Sequence, residues 1–227
     1  MRSLARTIAV EARWELDANV VGTAAGRHGT DGLVCLAAGG TSNPYPVWLS
    51  GLLDNPLTES LSGIATVIDR AGVTKGMRVL DAGSGPGRLT IPLARRVGMD
   101  GEVVALDVQE GMLEKVRRRA TEQGLSNIRT LRATLGADTE CSELRGIDFD
   151  CALLVTVLGE IPDPERALRA VYSALKPGVV LSVTELIIDP DYQRRSQVRA
   201  LAKRAGFEIE RSYGTPLAFT QNFRKPA

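Results

Sequence analysis

The sequence predicts an α/β protein: a mostly parallel, seven-stranded sheet with helices on both faces and a C-terminal antiparallel hairpin. Three observations carry this prediction. Short apolar runs alternate with amphipathic helical patterns, as in successive parallel crossover units. The stretch Val79-Leu80-Asp81-Ala82-Gly83-Ser84-Gly85-Pro86-Gly87-Arg88 reads as a buried strand, a sharp glycine turn and a helix start. Two late runs, Phe207–Arg211 and Leu217–Phe223, lie close enough in sequence to pair antiparallel.

Composition sets the outer bounds. A chain of 227 residues can bury one sizeable core and still carry a small appendage. With 28 basic and 27 acidic side chains, no global field recruits nucleic acid or an anionic membrane. No run approaches the roughly 20 apolar residues of a membrane span. Cys35, Cys141 and Cys151 are odd in number and scattered, which argues against a disulfide framework and for a reducing, cytoplasmic setting.

The elements follow in order. Residues 1–56 are expected to form an N-terminal cap of helix and loop, and residues 57–227 the ligand-binding domain. Leu4 to Asn19 can be drawn as a helix, and a glycine-rich stretch from Gly22 to Thr41 holds His28, the only histidine. His28 reads either as a general base on a lid or as a solvated loop residue. Tyr45, in the turn Asn43-Pro44-Tyr45-Pro46, is placed to touch a substrate. Trp48 sits on a short apolar helix that reads chiefly as packing. A further helix presents Leu57, Leu61, Ile64 and Ile68 on one face.

After the first strand and its helix (Leu89, Leu93, Val97), the second strand is Glu102–Asp107. A helix from Gln109 to Gln123 turns Met112, Leu113, Val116 and Ala120 inward, and Arg117-Arg118-Arg119 forms a solvated face. The third strand is Ile128–Arg132. The fourth, Phe149 to Val157, is almost continuously apolar, as for a central parallel strand. Asp163-Pro164 starts a helix by N-cap and N1 proline, and Lys176-Pro177-Gly178 stops it. Val179–Glu185 is the fifth strand, a helix follows near Gln193–Ala205, and Gly214 turns the chain into the last strand.

The chemistry centres on the glycine turn. Gly83, Gly85 and Gly87 permit positive φ and let a ligand lie against bare backbone, while N–H groups at the following helix start are suited to ligand oxygens. Asp81, just before the turn, opposes a phosphate and suits a ligand carrying an ammonium group. Asp107 lies 20 residues after Gly87, the spacing at which a carboxylate meets ribose hydroxyls. It could instead cap the helix that begins at Gln109.

From about Lys75 onward the chain resembles the class I S-adenosylmethionine-dependent methyltransferases, small-molecule type, similar to the ubiquinone/menaquinone methylase group. The matching marks are Asp81-Ala82-Gly83-Ser84-Gly85-Pro86-Gly87, Asp107, the Phe149-Asp150 entry to strand four, Leu175-Lys176-Pro177-Gly178 and the terminal hairpin. The resemblance implies a Rossmann-like fold and S-adenosylmethionine as cofactor. Asp81, Gly83, Ser84, Gly85, Gly87 and Asp107 would hold it. It further implies Val108 and Gln109 by the ribose and adenine, Met112 nearby, Thr134 and Leu135 at the adenine edge, and Thr156 after strand four. Many relatives carry an acid after strand three, where this chain has Ala133-Thr134-Leu135.

Transfer of an activated methyl group requires chiefly an aligned nucleophile and excluded water, with a base only for a protonated acceptor. Glu160 is placed either to orient or deprotonate the acceptor or to stand as a solvent-facing loop acid. Glu185, at the end of strand five, points to the same edge or caps the next turn, and Asp189 is a weaker candidate at the rim. No metal site is expected. The mark of amino-group methylation on DNA bases or glutamine, Asn-Pro-Pro-Tyr or Asp-Pro-Pro-Tyr after strand four, is absent. Two rival readings stand beside a small-molecule methyltransferase. One is an NAD(P)-dependent oxidoreductase, although the turn reads G-x-G-x-G with Asp81 in front instead of G-x-G-x-x-G. The other is a non-catalytic module that binds the cofactor without turnover.

Overall fold

The computed structural model describes residues 63–137 and 141–227. The expected cap, with His28, Tyr45 and Trp48, lies outside these residues, as does Cys35. Helix α1 (Ile64–Arg70) is followed by β1 (Arg78–Ala82), α2 (Thr90–Val97), β2 (Glu102–Asp107), α3 (Glu110–Glu122) and β3 (Ile128–Arg132). Then come β4 (Phe149–Val155), α4 (Pro164–Ala174), β5 (Leu175–Leu186), α5 (Arg195–Arg204), β6 (Glu208–Thr215) and β7 (Ala218–Arg224). The seven strands form one sheet in the order β3-β2-β1-β4-β5-β7-β6. All neighbours from β3 to β5 are parallel. Strand β7 runs antiparallel to both β5 and β6.

The central strands are mostly apolar because they bury both faces. On β1, Val79 packs into one cluster with Leu93, Val97, Val103 and Leu153, whereas its neighbour Leu80 faces the opposite cluster with Val104, Leu154, Leu168 and Val171. This is the two-residue alternation of a strand, read out on two cores. Helix α3 packs on β2 and β3 and buries Met112, Leu113, Val116 and Ala120, the face anticipated from its periodicity. Replacing fully buried Leu153 by Ala would cost about 2–5 kcal/mol through lost burial and a residual cavity.

The opposite edge of the sheet from the glycine turn is tied by charge. Asp150 accepts a hydrogen bond from the Arg78 N–H at 2.8 Å and another from the Lys176 ammonium at 2.6 Å. Burial alone would raise the Asp150 carboxyl, but these two partners hold it below its ordinary value. The Phe149-Asp150 and Lys176-Pro177-Gly178 marks are therefore one structural staple. Cys151, buried in β4 with its thiol pushed up to about 12 by burial, is likewise structural.

Several boundaries depart from expectation for identifiable reasons. Helix α1 begins after Gly63, whose φ is 50°, while Leu57 and Leu61 of the expected helix lie outside the described residues. Strand β4 stops at Val155, two residues early, because Thr156 adopts a φ of 50°. Lys176-Pro177-Gly178 lies inside β5 as a register irregularity: Phe149 pairs with Leu175, but Cys151 pairs with Val180. Helix α5 starts two residues late, at Arg195. Gly214 does not make the last turn. It lies in β6 opposite Phe219, where a Cβ would sit 2.2 Å from the Ala218 carbonyl oxygen, and Pro216-Leu217 turn the chain.

Candidate functional site

The carboxyl ends of β1, β2, β4 and β5 surround a cavity of about 460 Å³, of a size for a small-molecule ligand. It lies where the strand order reverses between β1 and β4, the position at which open α/β sheets bind ligands. Most of the residues anticipated as cofactor contacts converge on it: Asp81, Gly83, Ser84, Gly85, Asp107, Val108, Gln109, Met112, Thr134, Leu135 and Thr156. Glu160 lines it as well. Gly87 does not. Its φ of 92° lets the turn pass over α3, where a Cβ would lie 3.1 Å from Val116. Glu185 is 1% exposed and stands behind the lining, where one oxygen accepts from the Gln193 N–H at 3.3 Å.

The turn spends its own amides on its shape. The N–H groups of Gly83 and Ser84 both donate to the Leu106 carbonyl, and that of Gly87 donates to Ser84. Gly85 donates to the Asp107 carboxylate at 2.8 Å. What the turn offers a ligand is close backbone approach and the Ser84 hydroxyl, which is buried without a partner among the described residues. A Cβ at Gly85 would meet nothing within 4 Å, whereas one at Gly83 would strike Val157 at 2.3 Å.

Two acids flank this turn differently. Asp81 is buried and has the Thr90 hydroxyl as a donor at 2.6 Å. Burial raises its carboxyl to about 7, only partly opposed by Thr90, and the charge of Asp107 adds to the rise. Such a group gains most from a ligand cation. Asp107 accepts from Gly85 through one oxygen and from the Gln109 N–H, also at 2.8 Å, through the other. The capping role read from sequence is not what Asp107 does: Gln109 is the N-cap of α3, and the carboxylate instead holds the turn before the helix while retaining lone pairs for hydroxyl donors. Burial raises Asp107 and the backbone donors oppose it.

At the far side of the cavity, the short turn Leu158–Glu160 abuts the segment after β5. A Cβ on Gly159 would lie 1.7 Å from the Asp191 carbonyl oxygen, so only glycine allows these two stretches to meet. Burial, then repulsion from Asp189, Asp191 and Asp107, raises Glu160 to about 7. Sequence reasoning missed Thr90, which donates to Asp81 from behind the cavity, and the lining residues Asp191, Ile64, Val67, Ile161 and Leu186. The Asp189-Pro190-Asp191 run, three residues past the end of β5, was the available signal for Asp191. Among the described residues no group of His, Cys, Asp and Glu has the geometry to hold a metal ion.

Sheet order, glycine turn and paired acids define a Rossmann-like domain with the class I methyltransferase fold. The chain belongs to the methyltransferase domain family, whose model matches residues 73–206. It is 35% identical over 127 residues to the ubiquinone/menaquinone biosynthesis C-methyltransferase UbiE of Yersinia enterocolitica, covering 54% of this chain and 49% of that protein. It is 38% identical over 112 residues to the UbiE of Idiomarina loihiensis, covering 49% and 43%. The chain therefore spans about half the length of the curated relatives it matches. A SAM-dependent methyltransferase from Aquifex aeolicus shares the fold with a TM-score of 0.70 at 21% identity, over 79% of this chain and 98% of that one. A TehB-like SAM-dependent methyltransferase from Corynebacterium glutamicum does so with a TM-score of 0.62 at 20% identity, over 80% and 100%.

Proposed function

We propose that the protein is an S-adenosylmethionine-dependent methyltransferase acting on a small-molecule acceptor. The observation that carries this reading is Asp81. It is a buried carboxyl with a raised proton affinity, facing a cavity whose other wall is the ribose-positioned Asp107. A phosphate at that position would meet two acids, whereas an amino acid nucleoside would bring an ammonium to one and hydroxyls to the other. Ser84 and the open backbone at Gly85 would receive the amino acid end, with Val108, Gln109, Met112, Thr134 and Leu135 around the nucleoside and Thr156 beside the glycine turn. When bound, S-adenosylmethionine supplies a methyl group already activated for in-line displacement.

The chain's own part is alignment, exclusion of water and management of an acceptor proton by Glu160. Residues 57–227 would form the catalytic domain, with residues 1–56, Tyr45 among them, covering the acceptor side. A reducing, cytoplasmic setting fits Cys141 and Cys151, which form no disulfide with each other. UbiE relatives are named for C-methyltransfer in ubiquinone/menaquinone biosynthesis, but the similarity spans about half their length. Calorimetry with S-adenosylmethionine, S-adenosylhomocysteine and NAD tests the reading: binding of NAD alone would replace it with an oxidoreductase. Tight S-adenosylmethionine binding with no labelled methyl released to any acceptor in a metabolite extract would favour a non-catalytic module.

A further inference from the structure

Resting on the reading of Asp81 as the ammonium partner, we propose that Thr90 is a positioning residue of the cofactor site, whose hydroxyl fixes Asp81 through Oδ2 and leaves Oδ1 for the ligand. Asp81 lies near the end of β1 and lines the cavity. Thr90, the first residue of α2, is fully buried behind it. Their side chains meet across the base of the glycine turn at 2.6 Å, within the range of a hydroxyl donating to a carboxylate. A threonine inside a helix commonly bonds a carbonyl one turn back. Thr90 has no turn of α2 before it, and its hydroxyl is directed to β1 instead.

The bond also has an electrostatic consequence. On the sheet, the neighbours of Asp81 are Ala105 of β2 and Leu153 of β4, both apolar. The arginines of α2, Arg95 and Arg96, stand in its last turn and bond Gln123 and Asp69. The described cavity lining adds Arg88 and the acids Asp107, Glu160, Asp189 and Asp191. Burial pushes the Asp81 carboxyl up, the Thr90 hydroxyl opposes it, and the charge of Asp107 adds to the rise. Removing the hydroxyl therefore raises the carboxyl further and leaves less of it ionised at neutral pH. Thr90 thus acts on the ligand through Asp81, without touching the ligand itself.

The test measures S-adenosylhomocysteine binding by calorimetry from pH 6 to 8.5, in the full-length protein and in Thr90→Val, which keeps the shape of the side chain and loses the donor. This ligand carries the ammonium and has no methyl group to transfer. Comparing the two proteins at each pH cancels the ligand's own titration. In the variant, the rise of affinity with pH is expected to be displaced upward by about one pH unit. The variant then binds about tenfold more weakly at pH 6, about fivefold at pH 7 and less than about twofold at pH 8.5. Thr90→Ser, which retains the hydroxyl, is expected to stay within about twofold of the parent throughout. In an Asp81→Asn background, Thr90→Val is expected to change affinity by less than about twofold. Where Thr90→Val does not fold, Thr90→Ala carries the same comparison.

A deficit of equal size at every pH would reduce Thr90 to packing and overturn the inference. An undiminished deficit in the Asp81→Asn background would do the same. Failure of the cofactor reading looks different. If S-adenosylhomocysteine does not bind, or if Asp81→Asn leaves its affinity and pH dependence unchanged, Asp81 does not meet the ammonium and both readings fall. If Asp81→Asn weakens binding and flattens the profile while Thr90→Val behaves as the parent, only the role of Thr90 falls.

Discussion

The carboxylate of Asp107 accepts a hydrogen bond from the backbone N–H of Gly85, 22 residues earlier, at 2.8 Å. The end of β2 thereby holds the glycine turn that follows β1, and a single side chain joins the two halves of the proposed cofactor site. Its other oxygen fixes the start of α3 through Gln109. Replacing Asp107 by Ala removes both ties and the proposed ribose acceptor. S-adenosylmethionine affinity, read by calorimetry, is expected to fall at least about tenfold, the equivalent of about 1.4 kcal/mol. Unchanged affinity in a folded Asp107→Ala protein would remove this residue from the site.

The glycines of the turn separate shape from access. Gly83→Ala places a methyl group 2.3 Å from Val157 at a φ of 76°, and the expected loss is about 1–3 kcal/mol of stability. Gly85→Ala puts its methyl into open space at a φ of 51°, at a conformational cost of about 1–2 kcal/mol. Its methyl should nevertheless obstruct the ligand. Denaturant melts paired with calorimetry check the contrast: a stable Gly85→Ala protein that binds S-adenosylmethionine normally would move the ligand away from this turn.

Asp81 makes cofactor binding depend on pH. Its free carboxyl is raised to about 7, while an ammonium ligand requires the ionised form. Affinity is therefore expected to rise with pH up to about 7, by as much as tenfold per unit, and then level off for this group. Calorimetry across pH 5.5–8.5 measures the slope, and Asp81→Asn should flatten it while weakening binding. A flat profile in the unmutated protein would disconnect Asp81 from the ammonium.

Stability runs the other way. Burial raises Glu185 from its ordinary 4.5 to about 8, so in the window between those values the fold holds a proton that the unfolded chain has lost. Its contribution is fully present below about pH 4.5 and disappears as pH rises through about 8. Glu185→Gln should therefore melt higher than the parent at pH 9, by about 3 °C or more, and near it at pH 4.5. A variant less stable at both values would mean that the carboxylate has a partner the fold depends on.

The sheet was legible because its strands carry their own punctuation. Glu102–Asp107 and Ile128–Arg132 coincide with expectation to the residue, since each is an unbroken run between clear turn or helix signals. The Thr156 boundary was hidden. A threonine in the left-handed region is costly, and nothing in Val155-Thr156-Val157 announces it. Most of the cavity lining around the glycine turn was readable from that turn and from Asp107, because local chain geometry determines its placement. Thr90 was not, because its partnership with Asp81 requires α2 to fold back over β1. The pairing of the Glu160 turn with Asp191 also depends on two distant loops meeting, and only the bare backbone of Gly159 permits it.

Strand β7 is made after β6 yet stands between β6 and β5. During synthesis, β6 therefore emerges with no strand to pair with, and the edge of β5 waits unfilled. Only when Ala218–Arg224 arrives do both gain a neighbour, along with the Thr184–Thr220 hydroxyl contact at 3.0 Å. Until then the nascent chain presents a sticky, ladder-ready margin of the kind that recruits holding chaperones or other nascent chains. The edge of β5 that carries Glu185 is thus completed last.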